Sequence, residues 1–262
     1  MTKTDLPAVL ITGASAGIGT AYAERFARRG HDLILVARDQ AKLQALAARL
    51  GQAHGVRVDV LPADLSEAKP LAAVEERLRA DRRIGILVNN AGVASPGGFA
   101  ESDPQVDERM IRLNILALTR LTEAVIPRFL ESGEGAIVNL ASTLAIATEV
   151  LPGAYPATKS FVLAFSQSLQ AELGPRGIYV QVVLPSATKT EIWERSGLDP
   201  ARIPVMMETN VLVDAALVGF DRRELVTIPT LHDLGQWETF QAARKAMIPN
   251  FRQEKAAARY QA

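Results

Sequence analysis

The stretch AVLITGASAGIG, residues 8–19, gives the strongest indication of the fold. It begins with apolar, mostly β-branched residues, as a buried strand does, and continues into a turn that holds Gly13, Gly17 and Gly19. Glycines at this point let backbone N–H groups approach an anion, which the N-terminus of the following helix stabilises. The order of strand, turn and helix therefore favours a dinucleotide-binding turn, although the spacing is G-x3-G-x-G rather than G-x-G-x-x-G.

Apolar runs recur along the chain and are separated by stretches long enough for a helix. The runs predict parallel strands covered on both faces, at 9–11, 33–36, 58–61, 84–88, 136–140, 180–184 and, more weakly, 225–228. Apolar residues at helical spacing predict helices at 17–29, 40–53, 68–80, 104–130 and 158–173. We predict an α/β fold, a single-domain Rossmann-type doubly wound parallel sheet of about seven strands with helices on both faces.

Composition narrows the function classes. The 262 residues are 48% hydrophobic, which suffices for a large core, and 29 Lys and Arg balance 29 Asp and Glu. The balanced charge argues against nucleic acid and anionic membranes as partners. The lack of cysteine excludes disulfides, thiolate nucleophiles and Cys-ligated zinc. With no signal segment or apolar span, we expect one cytoplasmic domain over 1–262 that binds a small molecule and no metal.

Two segments do not follow the alternation of predicted strands and helices. Residues from about 186 to 210 mix Pro, Gly, Thr and charged residues, and a loop of this length in a compact domain is usually functional, so we predict a substrate loop there. Residues from about 236 to 262 are predicted to form a C-terminal helical tail. Within it, 241–262 holds five basic residues and one acidic residue, a local charge of +4.

The end of the second strand bears on the choice of dinucleotide. Ala37 stands where NAD sites carry a carboxylate, and Arg38 offers a planar fork to a phosphate, so NADP (NADPH) is favoured over NAD. Asp39 leaves two alternatives open, because it either pairs with Arg38 or holds a ribose. Asp64 either accepts a hydrogen bond from the adenine amino group or caps a turn beside Ser66.

The glycine turn also has a rival interpretation. Residues 13–17 spell G-x-S-x-G, the nucleophile elbow of α/β-hydrolases, with Ser15 as the nucleophile. Asp221 and His232 follow in the chain order that such a triad requires. This interpretation leaves the motifs further along the chain unexplained.

Three of these motifs lie at predicted carboxyl ends of strands, where open α/β sheets bind ligands. They are NNAG at 89–92, Ser142, and YPATK at 155–159. Together with the glycine turn, and in this order, they resemble the short-chain dehydrogenase/reductase family over about residues 8–190.

The chemistry of hydride transfer explains why these residue types belong together. Adding a hydride to a carbonyl builds an alkoxide, which needs a proton donor within hydrogen-bond reach. Free tyrosine, with a pKa of about 10, holds its proton too firmly, and a nearby cation lowers that pKa. Lys159, one helical turn from Tyr155, is expected to supply the cation.

The family resemblance implies a role for each site residue. Tyr155 is the general acid/base, Lys159 also binds the nicotinamide ribose, Ser142 bonds the substrate oxygen, and Asn114 holds a proton-relay water. The implied cofactor-binding set is Gly13, Ser15, Ala16, Gly17, Ile18, Gly19, Arg38, Asp64, Leu65, Asn90, Ala91, Gly92, Tyr155, Lys159, Pro185, Thr188 and Thr190. Asn90 is implied to tie the fourth strand to its neighbour.

One position departs from the family pattern. Ser186 follows Pro185, where the family usually has glycine. A side chain there either crowds the nicotinamide side of the pocket or changes the hinge of the loop, since glycine reaches backbone conformations that serine avoids. Thr190 still matches the family threonine.

The predicted substrate wall is mainly apolar and comprises Ala94, Leu144, Leu151, Ile192 and Trp193. Such a wall suits a ketone, aldehyde or secondary alcohol of modest size. One alternative is a 3-oxoacyl-carrier-protein-type reductase, whose acidic carrier the basic tail would attract. Another is a catalytically silent NADPH-binding sensor, although a sensor needs no proton donor. The resemblance also implies a homodimer or homotetramer formed through the helices around 104–130 and 155–173.

Overall fold

The computed structural model describes residues 6–95, 97–195 and 203–261, with the side chains of 194 and 195 left aside. In these residues seven strands form one parallel sheet in the order β3-β2-β1-β4-β5-β6-β7. The strands are β1 Ala8–Thr12, β2 Leu33–Ala37, β3 Val58–Pro62, β4 Ile84–Asn89, β5 Gly135–Leu140, β6 Ile178–Val183 and β7 Val226–Thr227. The strand order reverses between β1 and β4, which is where doubly wound sheets bind ligands.

Helices cover both faces of the sheet, and the predicted fold class is confirmed. The helices are α1 Gly17–Arg28, α2 Gln40–His54, α3 Ala68–Ala80, α4 Pro104–Ile111, α5 Leu118–Ser132, α6 Tyr155–Leu173, α7 Ile192–Arg195, α8 Thr209–Asp221 and α9 Leu234–Ala246. One core cluster packs α1, α2 and α8 on one face through residues such as Tyr22, Leu43 and Val213. The other packs α3, α5 and α6 through Leu71, Val125 and Leu169.

The helix predicted over 104–130 is not continuous, and this prediction is wrong in one respect. A π-helix, Arg112–Ala117, separates α4 from α5. Its buried member Asn114 accepts a hydrogen bond from Val93 N at 3.0 Å and donates one to Val93 O at 2.9 Å. The wider turn thus coincides with a side chain that is held by the segment after β4. π-Bulges of this kind are frequent at functional sites.

The described part of the predicted substrate loop contains regular structure. It contains α7, and α8 begins at Thr209, inside the predicted range 186–210. A parallel bridge joins Thr188 to Met207. Residues 196–202 of the predicted loop lie outside the described residues.

Contacts divide the chain into two compact units, one ending at Pro229 and the other beginning at Thr230. The second unit contains α9 from the predicted tail, with Trp237 and Phe240 stacked at 5.6 Å between ring centroids. The single domain over 1–262 stays a prediction. No helix in the described ranges is long and apolar enough to cross a membrane.

Arg128 of α5 fastens the end of α3 to the start of β4. Its guanidinium donates hydrogen bonds to the carbonyl oxygens of Leu78 (3.3 Å), Arg82 (3.4 Å) and Ile84. We expect Arg128→Met to lower the free energy of unfolding by about 2 kcal/mol, because bonds from a charged donor contribute roughly 1.5–3 kcal/mol each and this side chain is half-buried. Urea denaturation measures the change. Arg82→Met, at a side chain that is 82% exposed, is the control. Equal stability of both variants would contradict this assignment.

Candidate active site

The glycine turn is fixed against the segment that follows β4. Thr12 Oγ1 accepts hydrogen bonds from the N–H groups of Asn90 (2.9 Å) and Ala91 (3.0 Å), and Asn90 Nδ2 donates to Thr12 O at 2.8 Å. Gly13 has φ +67°, and a Cβ there would lie 2.8 Å from Asn90 Nδ2. Asn90 thus ties β4 to β1, as the resemblance implies. Thr12 was missed at the sequence level, where it reads as a strand end.

The start of α1 has the features of an anion-binding site. The helix has Ala16 at its N-cap, no side-chain cap and no acidic residue in its first turn. Its first N–H groups therefore remain available to a pyrophosphate. Gly17 has φ +52°, and a Cβ there would lie 3.0 Å from Thr190 Cγ2, so the turn and the loop after β6 approach each other closely. The residues present fit a dinucleotide.

The structure shows a role for Asp39 that neither alternative includes. Its Oδ1 accepts a hydrogen bond from Lys42 N at 3.0 Å and caps α2. Arg38 has a side chain that is 57% exposed, and its Nη1 lies 3.8 Å from Asp64 Oδ2. This loose contact leaves the guanidinium able to reach a phosphate.

Asp64 is held by several donors. Its Oδ1 accepts from Ser66 N (3.0 Å) and Ser66 Oγ (2.6 Å), and its Oδ2 accepts from Arg109 Nη2 at 2.9 Å. Burial alone would raise its pKa, but the hydrogen bonds from Ser66 and the charges of Arg109 and Arg38 hold that pKa below its ordinary value. Asp64 therefore stays ionised and forms the turn predicted as one of its two roles.

Ser142, Tyr155 and Lys159 meet at the carboxyl end of β5. Ser142 follows that strand, and its hydroxyl lies near enough to the phenol of Tyr155, the first residue of α6, to lower the pKa of that phenol. Lys159 is buried, its Nζ donates to Leu140 O at 2.9 Å, and the same Nζ lies 5.7 Å from the centroid of the Tyr155 ring. Pro156 is accommodated because the first helical turn can spare an N–H.

The pKa of Tyr155 differs from the expectation. Burial raises it to about 12, and the hydrogen bond with Ser142 offsets this only in part. Burial lowers the pKa of Lys159 to about 8. The expected lowering of the tyrosine pKa by the lysine is therefore wrong in net direction for this state. Desolvation dominates at both residues, because burial removes the charged phenolate and the charged amine from water. At neutral pH the phenol keeps its proton and the amine is mostly charged.

Asn114 is joined to the start of α6 as well as to Val93. Its Nδ2 donates to Thr158 Oγ1 at 3.1 Å, and Thr158 Oγ1 in turn donates to Tyr155 O at 2.8 Å. A Cβ at Gly92 would lie 3.1 Å from Asn114 Oδ1 and 3.5 Å from Lys159 Nζ, so the two groups face the same backbone position. Thr158, another residue missed at the sequence level, links the π-helix to the catalytic helix.

The loop after β6 joins the same region. Thr143 N and Ser142 Oγ both donate to Pro185 O, at 2.9 and 3.3 Å. The carbonyl of Ser186, the residue that departs from the family glycine, accepts a hydrogen bond from Thr188 Oγ1 at 2.9 Å. Trp193 Nε1 donates to Thr188 O at 2.7 Å, which places the indole beside this loop. The predicted substrate wall, Ala94, Leu144, Leu151, Ile192 and Trp193, is half-buried throughout.

The hydrolase interpretation fails on distance. Asp221 is paired with Arg29, just beyond the last residue of α1, with two contacts of 2.8 Å. Ser15 precedes the first residue of that helix, so the length of 12 helical residues, about 18 Å, separates the two. Asp221 therefore cannot orient a base for Ser15.

Comparisons with known proteins agree with this geometry. The family profile described as short chain dehydrogenase matches residues 7–201. A solved short-chain dehydrogenase from Sphingobium yanoikuyae in complex with NADPH is 59% identical, with a TM-score of 0.96 over 98% of this chain and 100% of that chain. The bulky-bulky ketone specific alcohol dehydrogenase from Comamonas testosteroni is 50% identical, with a TM-score of 0.92 over 99% and 100%.

Among curated proteins, the very-long-chain 3-oxoacyl-CoA reductase-B of Danio rerio is 37% identical over 187 residues, which is 70% of this chain. The chain spans about 60% of the length of the curated relatives it matches. Motifs, sheet order and side-chain geometry all lead to the same assignment: the chain belongs to the short-chain dehydrogenase family.

Proposed function

We propose that this protein is an NADP(H)-dependent oxidoreductase that transfers a hydride between nicotinamide and a ketone, an aldehyde or a secondary alcohol. The observation that carries the proposal is the cluster of Ser142, Tyr155 and Lys159 at the sheet edge that also holds the glycine turn. A protonated phenol that lies near a hydroxyl and a buried amine is suited to protonating a carbonyl oxygen as it gains charge.

In the reducing direction the nicotinamide, when bound, supplies the hydride for the carbonyl carbon. Tyr155 donates its proton to the carbonyl oxygen while Ser142 hydrogen-bonds the same oxygen. A C–H and an O–H bond form in the product. The carbonyl π bond, the C–H bond that supplies the hydride and the O–H bond of the tyrosine break, and the tyrosine is left as a phenolate. Lys159 then stabilises the phenolate through its charge, and solvent returns the proton along the side of Asn114. In the oxidising direction Tyr155 is the base.

The cofactor proposal rests on the exposed guanidinium of Arg38, which contacts Asp64 only loosely, and on the NADPH complex of the Sphingobium relative. We expect Arg38→Ala to raise KM for NADPH by about 10–100-fold and to leave KM for NADH within about twofold, because hydrogen bonds to a charged group contribute roughly 1.5–3 kcal/mol. Initial-rate kinetics with both cofactors measure the change. Arg82→Ala removes the same charge from a distant exposed position and serves as the control. Equal losses with both cofactors would contradict the phosphate role of Arg38.

The substrate proposal rests on the apolar character of the predicted wall, whose residues are half-buried, and on the ketone specificity stated for the Comamonas relative. We propose ketones whose two substituents are apolar, including ketones in which both are large. The test incubates the protein and NADPH with a panel that runs from small aliphatic to diaryl ketones and follows NADPH consumption. Consumption that rises with apolar size supports the proposal, whereas no turnover on any ketone contradicts it.

A second candidate substrate is a 3-oxoacyl thioester, favoured by the name of the Danio relative. The basic residues of 241–262 would attract an acidic acyl carrier. A 3-oxoacyl thioester that is reduced with a higher kcat/KM than any simple ketone would make this the principal activity. NADPH binding without any turnover would instead indicate the silent sensor.

The partner proposal rests on exposed apolar side chains. A homodimer or homotetramer through α4, α5 and α6 fits the exposed apolar side chains of Val106, Ile111 and Leu116. Exposing these apolar side chains to water is unfavourable, and a second copy that covered them would remove that surface from water. The cytoplasmic location stays a prediction.

A further inference from the structure

A ladder of four buried polar side chains crosses the core beneath the candidate active site. Thr122 of α5, Asn89 of β4, Asn139 of β5 and Ser166 of α6 form it, and we call it the amide ladder. Asn89 Nδ2 donates to Thr122 Oγ1 at 3.1 Å and to Asn139 Oδ1 at 3.0 Å, and Asn139 Nδ2 donates to Ser166 Oγ at 2.9 Å. All four residues are buried.

The amide ladder lies next to the contact that holds the amine of Lys159. Ser166 is seven residues after Lys159, so two turns of α6 place both on one face of that helix. Asn139 precedes Leu140, whose carbonyl oxygen accepts from Lys159 Nζ. Strand β5 and helix α6 are therefore joined by two adjacent polar contacts, one at Asn139 and Ser166 and the other at Leu140 and Lys159.

Packing alone does not explain polar groups at these positions. The surrounding core is built of side chains such as Leu121, Val125 and Leu169, and Asn89 Oδ1 is buried without a hydrogen-bond partner. Burying that oxygen costs free energy. Apolar contacts tolerate small shifts between a helix and a strand, whereas paired amides and hydroxyls satisfy each other in one arrangement only.

We propose that Asn139 and Ser166, supported by Asn89 and Thr122, are positioning residues that hold α6 in the one register at which Lys159 Nζ meets Leu140 O. They act on the proposed reaction through Lys159 and touch neither substrate nor cofactor. The inference rests on the proposed function for its meaning, but its test does not require turnover.

The surroundings of Lys159 make its titration a usable readout. Among the described residues the ionisable group that faces it is Tyr155 on the same helix. The π-helix presents Asn114, the segment after β4 presents Gly92, and β5 presents the carbonyl of Leu140, none of which ionises. Losing the bond to Leu140 O removes support from the charged amine, so its pKa falls.

The experiment compares Asn139→Leu and Ser166→Ala with Gln181→Leu. Gln181 is an equally buried amide, in β6, whose Nε2 donates to Ala216 O and Thr227 Oγ1 at 2.9 Å each, so the control loses comparable bonds away from α6. Lys159 is titrated through the NMR signals of its side chain, and ketone reduction is followed against pH below the unfolding temperature of each variant.

We expect both ladder variants to lower the pH at which Lys159 titrates by about half a unit or more, and to lower kcat at least about tenfold with KM for NADPH within about threefold. Gln181→Leu leaves both measurements unchanged, and Ser166→Thr, which keeps the hydroxyl, recovers most of the loss. Unchanged titration in Asn139→Leu and Ser166→Ala, or an equal shift in Gln181→Leu, overturns the inference. If the wild type reduces no ketone but its Lys159 titration still shifts in the ladder variants, the proposed function fails and the positioning role holds.

Discussion

Replacing Tyr155 with phenylalanine is expected to lower kcat for ketone reduction by about 10³–10⁴-fold while the Kd for NADPH stays within a few-fold, since a positioned proton donor contributes about 10²–10⁴-fold to a rate. The phenol is protonated at neutral pH because burial raises its pKa to about 12. Phenylalanine keeps the ring in its place at the start of α6 and removes only the proton and its bond to Ser142. The loss therefore falls on the step in which the oxygen gains charge. Stopped-flow NADPH consumption under single-turnover conditions measures that step.

Tyr179→Phe is the matched control for this variant. Tyr179 lies in β6, and its hydroxyl donates to Glu224 O at 2.7 Å, so the change removes a comparable bond from a tyrosine outside the active site. Its kcat should match that of the wild type. A Tyr155→Phe variant that retains more than a tenth of wild-type kcat would show that another group donates the proton.

Replacing Lys159 with methionine is expected to lower kcat/KM by about 10²–10³-fold, because a buried ammonium that supports a phenolate and bonds a ribose contributes about 3–4 kcal/mol through two charge-assisted hydrogen bonds. The rate of ketone reduction by the wild type should also depend on pH through the ionisation of Lys159. The amine is charged below its pKa of about 8, so reduction should be flat below that pH and decline as the amine loses its proton above it. Tyr155, with a pKa of about 12, should cause no further change in the rate near pH 8.

Lys159→Met should therefore be slow at every pH and lack the decline near pH 8. Lys69→Met, which removes an exposed charge from α3, should keep both the wild-type rate and the wild-type profile. A decline near pH 8 that persists in Lys159→Met would assign the titration to a different group.

Most of the fold follows from the alternation of apolar runs and helical spacing. Strand β2 begins where the sequence predicts it, and α3 has the predicted bounds, because burial on a sheet or on one helix face dictates residue type position by position. The π-helix could not be predicted in this way. The π-helix coincides with the contact between Asn114 and Val93. That contact joins residues 21 positions apart, so the local sequence pattern does not reveal it. Helix α8, Thr209–Asp221, was not predicted, because it follows an irregular, polar stretch.

The sequence predicted those parts of the site in which a motif names the residue. Ser142, Tyr155 and Lys159 come together as their motifs imply, and Asp39 shows the limit, since the sequence cannot tell a helix cap from a ribose ligand. The pKa of Tyr155 depends on how much water the folded chain excludes, which no motif encodes. Asn139 is visible as a polar residue in an apolar run, but its hydrogen-bond partners on β4 and α6 are not.

The half-buried apolar wall is formed by short segments that follow the strands, whereas the reactive phenol and amine stand on a long helix anchored to the sheet interior. Under the proposed function, selectivity and reactivity are thus assigned to separate parts of the chain. Remodelling Leu144, Leu151 or Ile192 should change which molecules are admitted without disturbing the proton donor, which makes these positions the natural ones to randomise when a new specificity is sought.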